Sequence, residues 1–137
     1  MTSIRRLQLA ATLLMIVIIY GCATTTDNTR MVGLVFDPGA DTAEITDEIS
    51  GAETVMYRFK GAPGQDLRVS LRPNNQHTEF LLYAPGKWPG DEMYNSHAGG
   101  NREYRGELYR DGMHAIQVYQ TGGAGQVSKF DLVITLR

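Results

Sequence analysis

Val55-Met56-Tyr57-Arg58-Phe59-Lys60, the break Gly61-Ala62-Pro63-Gly64-Gln65, and Asp66-Leu67-Arg68-Val69-Ser70-Leu71 form the stretch that decides the fold. Apolar side chains occupy every second position on both sides of the break: Val55, Tyr57 and Phe59 before it, Leu67, Val69 and Leu71 after it. A period of two places such residues on one face of an extended strand. Within the break, Pro63 presets one backbone dihedral and Gly64 supplies a positive one, which are the needs of a tight turn. The stretch reads as a β-hairpin.

The same alternation, punctuated by Gly, Pro, Asn and Asp, extends in both directions. It predicts strands over Met31 to Phe36, Ala43 to Ile49, Glu79 to Tyr83, Glu92 to Asn95, Tyr104 to Leu108, His114 to Tyr119 and Ser128 to Leu136. In the last of these Phe130, Leu132, Ile134 and Leu136 face one way. Helical spacing is not sustained anywhere. About eight short strands in one small unit make an all-β, antiparallel β-sandwich over residues 31–137 the most economical architecture, with a barrel as its main rival.

The N-terminal region follows different rules. Arg5 and Arg6 precede an apolar run that ends Leu13-Leu14-Met15-Ile16-Val17-Ile18-Ile19-Tyr20, and then comes Gly21-Cys22. This is the three-part layout of a secretion signal over residues 1–21. The run is short for a membrane-spanning helix, which wants about 20 apolar residues. Ile19-Tyr20-Gly21-Cys22 resembles the bacterial lipobox, with Tyr20 standing where a small residue is usual. The resemblance implies that Cys22 is lipidated and becomes the mature N-terminus. Each buried lipid CH₂ contributes about 0.8 kcal/mol, so several acyl chains hold a protein firmly on a membrane. Cys22 is the one cysteine in the chain, which rules out an intrachain disulfide. Ala23 in place of an aspartate resembles the outer-membrane sorting pattern, implying an envelope protein on the outer membrane facing the periplasm. Residues 22–30, with Ala23-Thr24-Thr25-Thr26-Asp27-Asn28-Thr29, lack apolar periodicity and read as the lipidated cysteine and a flexible tether.

Thirteen Lys and Arg stand against 15 Asp and Glu. Two of those arginines lie in the signal, so the remainder is mildly acidic, which argues against a nucleic-acid partner. Catalytic groups do not converge in the sequence. His77, His97 and His114 are far apart and form no metal-binding spacing, and His114 is in phase with the core-facing Ile116 and Val118. No Gly-x-Ser-x-Gly elbow is present. Gly122-Gly123-Ala124-Gly125-Gln126 lacks the Lys-Ser/Thr of a phosphate loop and reads as a strand connection. Asp91 and Glu92 are adjacent acids that read as a solvated turn rather than a calcium site. No metal, cofactor or enzymatic activity is expected. Trp88, the one tryptophan, lies in Lys87-Trp88-Pro89-Gly90, where it either anchors a partner or caps the end of the sandwich.

Several motifs then occur in a telling order: Val35-Phe36-Asp37-Pro38-Gly39-Ala40, Gly51, Tyr57-Arg58-Phe59-Lys60, Ala62-Pro63-Gly64-Gln65-Asp66-Leu67, Asn74-Asn75, Phe80-Leu81-Leu82-Tyr83-Ala84-Pro85-Gly86, Leu108-Tyr109-Arg110-Asp111-Gly112 and Ile116-Gln117-Val118-Tyr119. Over roughly residues 33–137 this order resembles the periplasmic inhibitors of g-type lysozyme and their lipoprotein relatives. It is also similar to bacterial pre-peptidase C-terminal domains, which share the sandwich. The first resemblance implies a protein that occupies the cleft of a cell-wall hydrolase with its loops, with Tyr57, Tyr119 and Gln120 as candidate partner contacts, while the loop residue Trp88 is the candidate contact of a binding module. The second implies a non-catalytic envelope module that binds glycan or protein. In the inhibitors the connection after the late Val-Tyr strand is arginine-rich. The corresponding segment here, Gln120 to Ser128, is shorter and holds no arginine.

Overall fold

The two halves of the deciding stretch are both strands, but they do not pair with each other. In the computed structural model, which describes residues 28–122 and 125–137, the elements run β1 (Thr29–Gly33), β2 (Thr42–Ser50), β3 (Thr54–Gly61), β4 (Asp66–Pro73), β5 (Thr78–Tyr83), β6 (Tyr94–Asn95), α1 (Ser96–Gly99), β7 (Glu103–Glu107), β8 (Gly112–Gln120) and β9 (Val127–Leu136). One sheet has the order β1-β3-β8-β5-β6 and the other β2-β9-β4-β7. The expected hairpin is therefore an arch between sheets. Its turn is as read, with Gly64 at φ 89, Gln65 N–H donating to the Ala62 carbonyl at 3.3 Å and Ala62 N–H donating to Gln65 Oε1 at 2.7 Å. Period two says that each strand has one apolar face; it does not say whether neighbours lie side by side or face each other.

The two apolar faces close on one core. Val55, Tyr57, Phe59, Phe80, Leu82, Ile116 and Val118 come from the first sheet, and Ile49, Leu67, Val69, Leu71, Phe130, Leu132 and Ile134 from the second; all are at most 3% exposed. This is the expected all-β sandwich, not a barrel. Strands pair antiparallel except β1, which runs parallel to β3 from Thr29↔Thr54 to Gly33↔Arg58. The strand is thus shorter and earlier than Met31 to Phe36, and Thr29 and Arg30, expected in the tether, belong to it. Their pairing is polar, through a 2.9 Å Thr29–Thr54 hydroxyl bond and Arg30 ion pairs, so no apolar rhythm announced it. Leu34 and Phe36 leave the sheet but still pack on the core. The one-turn α1, capped by the Asn95 side chain accepting from Ala98 N–H at 3.1 Å, is too short to leave a helical period. The secretion signal expected over residues 1–21, the expected lipid attachment at Cys22 and the rest of the expected tether to Asp27 lie outside the described residues.

Both sheets are complete between Thr29 and Leu136. Asn28, the β2–β3 turn, the β4–β5 loop and the β8–β9 connection gather at one end, tied by Thr54 N–H to the Asn28 carbonyl at 3.0 Å, Gly51 N–H to that of Gln126 at 2.8 Å and Thr121 N–H to that of His77 at 2.7 Å. This is the tether end. The β1–β2, β3–β4, β5–β6 and β7–β8 connections start from the far end, where Leu34 N–H bonds to the Arg58 carbonyl and Gly64 N–H to that of Leu108.

His114 is fully buried near the far end. Its ring stacks on Phe59, centroids 5.6 Å apart, its Nδ1 lies 3.1 Å from the Gly112 carbonyl oxygen, and Nε2 has no protein partner. Burial holds the imidazole below its ordinary pKa, outweighing the Gly112 carbonyl and Asp111, which favour the charged form. The unfolded chain then takes up a proton near the usual value of about 6.5, before the folded one does. His114 stabilises the fold fully above that value and loses its contribution as the pH falls toward the depressed folded value. Urea unfolding should show a midpoint that drops between about pH 7 and pH 5, and the drop should shrink in His114→Phe.

Candidate partner-binding surface

The outer face of the five-stranded sheet follows from the register. Met31 lies beside Met56, Met56 opposite Gln117, and Gln117 opposite Leu81; the next row reads Gly33, Arg58, Ala115 and Tyr83, and beyond it Lys60 faces Met113. Outward positions of an antiparallel sheet are ordinarily polar when water covers them. Here methionines sit in the solvent phase of three strands. The β5–β6 connection, residues 84–93, adds to them. Pro85 starts it by packing 3.2 Å from where a Gly112 side chain would begin, so Gly112 is the residue that admits it. The loop is closed by Lys87 Nζ on Asp91 Oδ2 at 2.6 Å and Gly90 N–H on Glu92 Oε2 at 2.9 Å.

Trp88 caps a groove of about 320 Å³ lined by Met31, Met56, Arg58, Tyr83 and Met113. It is 76% exposed, Met31 55% and Met113 41%; with Val35 and Tyr109 they make five of the six exposed large apolar side chains among the described residues. All five belong to this face or to connections at the far end. Methionine adapts its shape to whatever packs on it, and a patch of this kind marks an interaction surface more often than chance exposure does. Arg58 has no ion-pair partner among the described residues, so its charge is available. The Tyr83 hydroxyl donates to Gln117 Oε1 at 3.1 Å; burial first, then the charges of Glu92 and Tyr119, push its pKa up to about 12, so it remains a donor.

The four residues proposed from sequence are not brought together. Trp88 is on the groove. Tyr119 is half-buried on the same outer face but toward the tether end, opposite Glu79; burial, then Glu79 and Glu92, raise its pKa. Tyr57, expected to touch a partner, is fully buried. Its hydroxyl donates to Asp47 Oδ2 at 2.6 Å, and Asp47 also receives both terminal nitrogens of Arg30 at 2.9 and 3.1 Å. Gln120, likewise expected at the surface, turns inward, its Nε2 donating to the carbonyls of Gln126 at 3.0 Å and Ile49 at 3.4 Å. It clasps the two sheets at the tether end. Sequence reasoning missed the methionines and Arg58, although an apolar residue in the polar phase of a strand was the signal. Among the described residues no group of three His, Cys, Asp or Glu could hold a metal ion.

The described residues form a two-sheet sandwich with an apolar groove on one outer face, and comparison with known proteins places this fold more closely. No protein-family model matches the chain, and no curated protein does. Solved structures do. The periplasmic lysozyme inhibitor of g-type lysozyme from Aeromonas hydrophila superposes with a TM-score of 0.73 at 24% identity, covering 80% of this chain and 97% of that one. Its counterpart from Salmonella Typhimurium gives 0.61 at 26%, covering 79% and 98%. The pre-peptidase C-terminal domain of a collagenase from Bacillus anthracis gives 0.55 at 15%, covering 80% and 94%. The chain thus has the sandwich shared by these inhibitors and that domain, and the resemblance read from the order of its motifs holds in three dimensions.

Asp47 connects Tyr57 to the edge strand. Burial opposes its ionisation, but the Arg30 and Tyr57 hydrogen bonds and the Glu48 backbone outweigh it and hold the carboxyl below the ordinary range. Tyr57→Phe removes one charge-assisted bond and should cost about 1.5–3 kcal/mol in urea unfolding at neutral pH. Because a depressed carboxyl stabilises above its unfolded pKa and loses this as pH falls, the gap between Tyr57→Phe and the parent should narrow below about pH 4.

Proposed function

We propose that this chain is a lipid-anchored envelope protein that binds and blocks a peptidoglycan hydrolase of the lysozyme kind. The observation that carries this is the match to the inhibitor fold over 97–98% of the two inhibitors' length at 24–26% identity. The physics of the groove supports it. A rigid sandwich loses little entropy on binding because its loops are preorganised. Arg58 on β3 lines the Trp88 groove and has no ion-pair partner among the described residues, and the cleft of a glycoside hydrolase is built around a pair of carboxylates that such a charge suits. With no arginine from Gln120 to Ser128, the β8–β9 connection offers less to such a cleft than the Trp88 groove with Arg58 does. Tyr119 extends the same face. Trp88 alone equally suits a glycan- or protein-binding module without inhibitory activity, which is the second reading.

In this proposal Cys22 carries the lipid. Five residues, six Cα–Cα steps, separate it from Asn28 and span at most about 21 Å, so the tether end lies near the membrane and the Trp88 groove at the far end stays open to the periplasm.

Two experiments test these points. Residues 23–137, which contain both complete sheets, should protect cell walls from g-type lysozyme but not from c- or i-type, and Trp88→Ala should weaken protection by about 30-fold, the loss of a 2 kcal/mol anchor. No protection from any class would leave the second reading; protection untouched by Trp88→Ala would move the contact elsewhere on the sandwich. In cells, Cys22→Ala should abolish palmitate incorporation and shift the protein from the membrane to the soluble fraction. Labelling that persists would sink the lipid-anchor proposal.

A further inference from the structure

The outer face of the four-stranded sheet carries a second concavity, on the side of the molecule away from Trp88. The outward positions of β4 read Asp66, Arg68, Ser70 and Arg72. Register places Arg105 of β7 directly opposite Arg68, and Glu103 opposite Ser70; on the other side Thr135 and Val133 of β9 flank the same two residues, and Asp131 faces Arg72. Like charges directly opposite each other across antiparallel strands repel. The pair shares one carboxylate, Asp66 Oδ2, at 3.6 Å from Nε of each arginine, which is beyond hydrogen-bond reach. Arg72, a third guanidinium two residues past Ser70, has no ion pair among the described residues.

Between these long side chains the short Ser70, Val133 and Thr135 leave a depression of about 490 Å³, with Asn101 and Tyr104 at its rim. Ser70 Oγ, in the floor, is buried and has no protein hydrogen-bond partner. Two opposed guanidiniums with a shared, distant counter-charge and an unmatched hydroxyl between them are the donor set that a planar or tetrahedral oxyanion completes.

We propose that this depression binds an oxyanion, the carboxylate or phosphate group of a small envelope molecule, between the Arg68 and Arg105 guanidiniums, with Ser70 donating its hydroxyl from the floor. Arg72 adds charge from the next outward position. Glu103, which lines the depression opposite Ser70, and Asp131 beyond it, already accepting from Thr46 Oγ1 at 2.7 Å, keep the face close to neutral. The site therefore suits a single anionic group and discourages extended polyanions, whose binding needs a broad basic surface.

Backbone amide NMR spectra of residues 23–137, titrated at constant ionic strength with inorganic phosphate and separately with acetate, test this. Saturable shifts are expected at Arg68, Ser70 and Arg105 and not in the Trp88 loop. Saturation by phosphate alone identifies a phosphate group, and by acetate a carboxylate; either supports the site. Arg105→Gln should weaken the fitted affinity about tenfold and, by removing the like-charge pair, leave the unfolding midpoint in anion-free buffer equal to or above that of the parent. Shifts that rise without saturating for both anions, or that are unchanged in an Arg68→Gln/Arg105→Gln double variant, overturn the proposal. Because these residues lie on the sheet opposite the groove, loss of anion binding should leave lysozyme protection as it was, so the two readings fail independently.

Discussion

The contact between the inner faces of β3 and β8 and those of β4 and β9 is the interaction on which everything else in this molecule depends. Each fully buried Val, Leu, Ile or Phe contributes about 1.5–3 kcal/mol, and these four strands supply ten such side chains. Ordering the chain costs a comparable sum, so the apolar faces must meet almost without gaps. That requirement fixes register, because a slip of one residue would turn every core side chain of a strand to the outside. The same parity decides the surfaces. With Tyr57 and Phe59 inward, Met56 and Arg58 must be outward; with Val69 and Leu71 inward, Arg68, Ser70 and Arg72 must be outward. The groove and the arginine depression are both consequences of how the core is phased.

Polar groups secure what the core cannot. At the tether end Gln120 bonds to carbonyls on β2 and on the β8–β9 connection, and Thr78 meets the Ser128 hydroxyl across the sheets at 2.5 Å. Beside them the nearly buried Glu79 accepts from Arg102 at 2.8 Å and from Ser96 Oγ at 2.5 Å, while Ser96 Oγ in turn receives the Phe80 N–H at 2.8 Å. A buried ion pair is weak evidence for net stability. What this one does is position: Arg102 also donates to the carbonyls of Thr78 and Gln76, so α1 and the β4–β5 loop are held to one spot. Tyr57 and Asp47 serve the edge strand β1 in the same way. The far end is tied instead by exposed ion pairs, Arg137 with Asp41 and Lys87 with Asp91, beside its exposed apolar side chains.

Much of this was legible in the chain. Alternation located nearly every strand to within a few residues, because half-burial imprints a period of two directly on residue type. The turn at Pro63-Gly64 was legible for the same local reason. Elements held by polar or backbone contacts were not: β1 begins in what looked like a linker, and α1 is a single capped turn. Of the candidate contacts, Trp88 was legible as an aromatic set on a loop. Tyr57 and Gln120 carry polar ends, and nothing local distinguishes a polar end that reaches solvent from one that finds Asp47 or a backbone carbonyl inside.

The sequence by itself determined which residues are strands, which side of each strand is apolar and where the chain turns, since these depend on neighbours two or three positions away. The tertiary structure alone decided that the Pro-Gly turn bridges two sheets, that β1 joins parallel to β3, that Met31, Met56, Met113 and Trp88 share one groove, and that Arg68 confronts Arg105. Those relations join residues from about 20 to more than 80 positions apart. They are set by which apolar face excludes water from which other, a choice made by the whole chain at once and recorded at no single position in it.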